Sequence, residues 1–138
     1  MAGDHDNRRG LLQAYLIQAD KRLAAAHALL AARSWEDAVS RAYYAAFHAV
    51  TAALASRGLE AKTHDGARTL FALHFVRTGL LPADVGRTVA ALQRERQSGD
   101  YDPFPLIEEE AAREAVTQAE GVLGAIRLLL GEAEAPGG

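Results

Sequence analysis

The chain has 138 residues, a formal net charge of −3, 49% hydrophobic residues and no cysteine. That length suffices for one domain with its own core and no covalent staples, and the missing cysteines exclude disulfides and thiolate metal sites. The acidic balance argues against a protein that coats nucleic acid through general electrostatics, because such binding neutralises several phosphates with Lys and Arg.

Much of the hydrophobic share is alanine, whereas β-branched residues and proline are few, which points to an all-α fold. No run approaches the roughly 20 apolar residues of a membrane span, and the first residues lack the apolar stretch of a secretory signal. A cytoplasmic protein that does not enter membranes is expected.

Residues 1–9 read as a disordered lead. From Gly10, the apolar positions Leu12, Leu16, Ala19, Leu23, Ala26 and Leu30 alternate steps of three and four, predicting a helix to about Ala32. His27 lies beside that stripe and reads as a packed or half-exposed residue rather than a ligand. The connection Ala32-Arg33-Ser34 is so short that the next helix must be an antiparallel neighbour.

The second helix, Ser34 to Arg57, organises the rest. Ser34 can cap it, Glu36 and Asp37 place negative charge in its first turn, and Arg57-Gly58 supplies a cation and a stop. Trp35, Ala38, Ala42, Ala46, Ala49 and Ala53 fall on one narrow face, where small side chains allow another helix to come close. Val39, Tyr43, Phe47, Val50 and Leu54 form a bulky apolar flank, so the helix is expected in the centre of a bundle. Asp37, Arg41, Tyr44 and His48 form a polar stripe on the other flank. That stripe is either a candidate site or a solvated edge with an Asp37–Arg41 pair at i,i+4.

Ser56 to Lys62 reads as a loop, and Thr63 or Asp65 can cap a third helix with Ala67, Leu70, Phe71, His74 and Phe75 on its apolar face and Gly79 at its end. His74 therefore reads as a core or interface histidine. His64, at the helix start, can act as a cap or meet a phosphate beside free amides. Pro82 suits the first turn of a fourth helix with Val85, Val89 and Leu92 at steps of four and three, and the next step of four lands on Arg96, whose guanidinium then points toward the bundle. Ser98 to Pro105 reads as a loop. A fifth helix from about Leu106, with Ala112, Val116, Ala119, Leu123, Ile126 and Leu130 inward, is expected to be the longest element. Residues 10–131 then form one domain, an up-and-down bundle of about five helices, followed by a flexible acidic tail over residues 132–138.

The run Ser40-Arg41-Ala42-Tyr43-Tyr44-Ala45-Ala46-Phe47-His48-Ala49 closely resembles the signature of prokaryotic HEPN-domain proteins, in the branch of small single-domain members. Three later stretches strengthen the resemblance: Lys62-Thr63-His64, His74 through Pro82, and Arg96-Gln97-Ser98-Gly99-Asp100-Tyr101-Asp102. They occur in the family's order and span roughly residues 10–130.

The resemblance implies a HEPN-like bundle that binds a nucleotide or RNA, the toxin-side partner of a minimal nucleotidyltransferase in a toxin–antitoxin-like pair. The alternative is a metal-independent ribonuclease acting across a homodimer cleft, and a third reading is a structural helical dimer without ligand. In ribonuclease members an Arg and a His a few residues apart act together. The guanidinium holds the phosphate and the imidazole moves the proton of the ribose oxygen.

Arg41 and His48 offer one partial match, and Arg96 followed by Tyr101 another. Tyr101 stands where the ribonuclease histidine would be, and a phenol is a poor general base at neutral pH. Candidate catalytic residues are thus Arg41, His48 and Arg96, and candidate nucleotide-binding residues are Asp37, Arg41, Tyr44, His48, His64, Arg96, Asp100 and Tyr101. Arg96 and Asp100 have a second reading, as a pair that fastens the loop. Tyr101 is a candidate site of modification by nucleotide transfer. No metal and no cofactor is expected, since no His-x-x-x-His pairing occurs. A homodimer is expected from the apolar circumference of the second helix and from Phe71, Phe75 and Leu80, with the polar stripe lining the groove between subunits.

Overall fold

The computed structural model describes residues 2–101 and 107–131, with side chains over residues 6–97 and 107–131. Five α-helices follow one another: α1 (Ala2–Ala31), α2 (Trp35–Ser56), α3 (His64–Phe71), α4 (Ala83–Tyr101) and α5 (Glu109–Leu130). A π-helical turn over Ala72–Val76 continues α3, and there is no strand among the described residues. None of these helices is long and apolar enough to cross a membrane.

α2 is the centre of the bundle, packed on α1, α3, α4 and α5. Its alanine face explains how: Ala38, Ala42, Ala46, Ala49 and Ala53 are all fully buried, so neighbouring backbones approach with little side chain between them. The bulky flank is buried as well at Val39, Tyr43, Val50 and Leu54. Apart from the half-buried Trp35 and Phe47, the apolar surface of α2, from which a homodimer was expected, is therefore covered within one chain. Phe71 and Phe75 are also buried, leaving Leu80 as the exposed member of that set.

The helix ends depart from the sequence reading in instructive ways. α1 starts at Ala2, eight positions before Gly10, and at 30 residues it is longer than α5 at 22. Asp6 adds negative charge near the positive end of the dipole, and exposed Gly10 costs only about 1 kcal/mol in helix propensity. Ser34 does not cap α2 with its hydroxyl; its Oγ donates to Asp37 Oδ2 at 2.8 Å. Thr63 does cap α3, accepting from the Gly66 amide at 2.8 Å. α4 runs through Gly99 and Asp100 to Tyr101, where a loop was expected. A single helical glycine is tolerated, and the strong breaker in that stretch of sequence is Pro103.

α1 and α5 are tied by a forked ion pair. Arg127 Nη1 and Nη2 donate to Asp20 Oδ1 and Oδ2 at 2.7 and 2.6 Å, with the arginine side chain 11% exposed. Closer to the surface, His27 Nε2 lies 2.7 Å from Glu120 Oε1 between the same helices.

Candidate functional site

Three helices converge on the side of α2 that carries Tyr43 and Tyr44. Tyr43 is fully buried, and its hydroxyl lies 3.0 Å from Nδ1 of His64 at the start of α3. The Thr63 cap fixes the first turn of α3, and with it the place of the His64 ring. Phe47 lies against that ring, centroids 4.1 Å apart. From α4, the Arg96 guanidinium sits 5.2 Å from the ring centroids of both Tyr43 and Tyr44. The step of four after Leu92 does aim Arg96 inward, and what it meets there is two aromatic faces.

His48, one turn after Tyr44, is half-buried, stacks at 6.4 Å on Tyr15 of α1, and has a buried Nδ1 with no hydrogen-bond partner among the described residues. Burial lowers the pKa of His48, with the Arg22 and His64 charges adding to the effect. Burial also lowers the pKa of His64, and Arg96 pushes it the same way. Both imidazoles are thus kept neutral at pH 7. The buried phenol of Tyr43 is raised by desolvation, which the nearby Arg96 partly offsets. Behind the cluster, Arg68 and then the Gln93 amide bond Asp65 and hold its carboxyl below the usual range.

Of the residues singled out from the sequence, Tyr44, His48, His64 and Arg96 are brought together. Arg41 lies exposed one helical turn before Tyr44, beside the cluster rather than in it. Asp37 is exposed and held by Ser34, and no ion pair joins it to Arg41 among the described residues. The side chains of Asp100 and Tyr101 lie outside the described residues. Tyr43, Phe47 and Tyr15 are the members that sequence reasoning missed. Tyr43 and Phe47 were assigned to the packing flank, and Tyr15 lies next to the α1 stripe at helical spacing, which was its available signal.

The lowered imidazole pKa values carry a consequence for stability. The unfolded chain takes up protons below the ordinary histidine value of 6.5 before the folded chain does, so stability falls as pH drops through that value. The carboxyls of Asp65 and Glu109 titrate below their ordinary values of 3.8 and 4.5, so they do not act in this window. A lower urea midpoint at pH 5.5 than at pH 7.5 is expected, with a smaller difference in the double variant His48→Gln, His64→Gln.

An arginine, two tyrosines and two imidazoles thus form a cationic–aromatic cluster on the flank of the central helix of an all-α bundle. The chain belongs to the HEPN domain family, whose model matches residues 12–129. It is similar to a Thermotoga maritima protein named UPF0332 protein, with 31% identity over 125 residues, covering 91% of this chain and 95% of that one. It is also similar to a Methanocaldococcus jannaschii protein whose curated name is "Putative toxin", 35% identical over 121 residues and covering 88% of this chain and 90% of that one.

Two solved structures share the fold. One, an archaeal HEPN homologue, has a TM-score of 0.67 at 20% identity and covers 84% of this chain and 94% of its own. The other, from Thermus thermophilus, has a TM-score of 0.71 at 21% identity and covers 86% and 97%.

Proposed function

We propose that this HEPN protein binds a nucleotide or RNA at the Arg96–Tyr44–His64–His48 cluster, with Arg41 at its edge, and serves as the toxin side of a pair with a minimal nucleotidyltransferase. The observation that carries the reading is the seating of Arg96 against Tyr43 and Tyr44 beside His64. Aromatic faces orient a guanidinium and also stack nucleobases, and an arginine at such a site is the usual partner of phosphate. An acidic chain can bind an anion this way, because the site offers local cations and neutral rings rather than net charge. The toxin role is supported by the name of the M. jannaschii relative.

A homodimer belongs to the same proposal. Among the described residues, Leu11, Ile17, Leu73, Leu80 and Leu128 are the large exposed apolar side chains that remain for it. Sedimentation is expected to give twice the 14.7 kDa chain mass at tens of micromolar.

The test of function is expression with and without the genomic neighbour while growth and RNA integrity are followed. Growth arrest relieved by the neighbour supports the proposal. RNA cut only in the neighbour's absence would favour the ribonuclease alternative, and normal growth with intact RNA in both cases would contradict a toxin.

A further inference from the structure

A cleft of about 460 Å³ opens next to the Arg96 cluster, between the first turns of α1, the C-terminal half of α2 and the loop into α3. That volume lies in the range of small-molecule sites. His48 and His64 line it and connect it to the cluster. Part of its wall is aromatic, formed by the stacked Tyr15–His48 pair and by Phe47 lying against His64, and aliphatic side chains such as Leu54 and Leu59 form much of the rest. The exposed side chains of Arg8 and Lys62 stand among its lining residues, with Glu60 as the single carboxylate there.

Gly58 brings Arg8 to this position. It has φ of 69°, and a Cβ at that position would meet Arg8 Nη2 at 2.8 Å, so the guanidinium lies directly on the glycine. A purely apolar ligand would leave the rim cations Arg8 and Lys62 unused. A planar heterocycle carrying an anion would stack on the rings and reach the cations.

We infer that this cleft holds the base of one nucleotide, stacked on its aromatic rings, with the phosphate at Arg8 and Lys62. The inference rests on the reading of this protein as a nucleotide or RNA binder and assigns the base a place apart from Arg96. A free mononucleotide and an unpaired nucleotide of an RNA strand present the same chemistry.

The test is calorimetric titration of the full chain with AMP, GMP, CMP and UMP, and separately with a short single-stranded RNA. Ala61→Phe fills the cleft, and Lys62→Glu and Arg8→Glu reverse the charge at its rim. Arg77→Glu, exposed beyond the π-turn, controls for charge, and Arg96→Ala probes the neighbouring cluster. Each cleft variant is expected to weaken binding by at least about tenfold, with Arg77→Glu within about twofold. If Ala61→Phe fails to fold, the two rim variants carry the test, since both positions are exposed.

Mononucleotide binding that responds to the cleft variants identifies a free nucleotide as the source. Binding of RNA alone with the same response identifies a strand. Binding abolished by Arg96→Ala but untouched by all three cleft variants would overturn the cleft and leave the wider reading standing. No binding of either probe to the wild-type chain would overturn both.

Discussion

Tyr43→Ala is expected to destabilise the protein by about 3–5 kcal/mol, the range for removing a large aromatic from a packed core. Tyr43 is fully buried, its ring touches Tyr44, Phe47 and His64, and the Arg96 guanidinium sits over it. The substitution thus opens a cavity and removes the platform that orients two site residues. Tyr43→Phe keeps the ring and removes only the bond to His64, so it is expected to cost about 1 kcal/mol. Urea denaturation of both variants separates packing from the hydrogen bond. Equal losses would mean that the ring contributes little beyond its hydroxyl.

Ala49→Leu is expected to cost about 3 kcal/mol, at the upper end for overpacking, because Ala49 is fully buried on the face where helices approach α2 most closely. Leucine has a better apolar payload and nearly the helix propensity of alanine, so burial and propensity alone predict a neutral or stabilising change. Steric crowding decides the sign. Ala28→Leu, at an exposed position of α1, is the control and is expected to stay within about 0.5 kcal/mol. A stable Ala49→Leu protein would show that the alanine face leaves free space.

The sequence revealed the parts of this molecule whose signal is periodic. The α1 stripe from Leu12 to Leu30, the alanine face of α2 and the inward positions of α5 from Ala112 to Ile126 are buried as their spacing implied, with Leu23 half-buried. Arg96 was readable too, since it continues the stripe of Val85, Val89 and Leu92. What it packs against was not, because the contact joins α4 to α2 across some fifty residues of chain, and nothing in local spacing encodes that distance.

Other features were hidden for different reasons. Tyr43 counts as a bulky apolar residue in any periodicity argument, yet its hydroxyl is the atom that fixes His64. The π-turn over Ala72–Val76 leaves no pattern, since one widened turn looks like ordinary helix in sequence. The first turns of α1 are polar and carry no stripe, so Arg8 was read as part of a disordered lead although it rests on Gly58 at the cleft rim. In α4, Ser98-Gly99 was taken as a stop, but a glycine weakens a helix without ending it.

The most direct test of the account is the affinity of the chain for a short single-stranded RNA and for a mononucleotide, measured for the wild type and for the triple variant Arg41→Ala, His48→Ala, Arg96→Ala. Binding by the wild type is expected, with a loss of at least about tenfold in a triple variant whose helical circular dichroism is unchanged. A folded triple variant that binds both ligands as tightly as the wild type would contradict it.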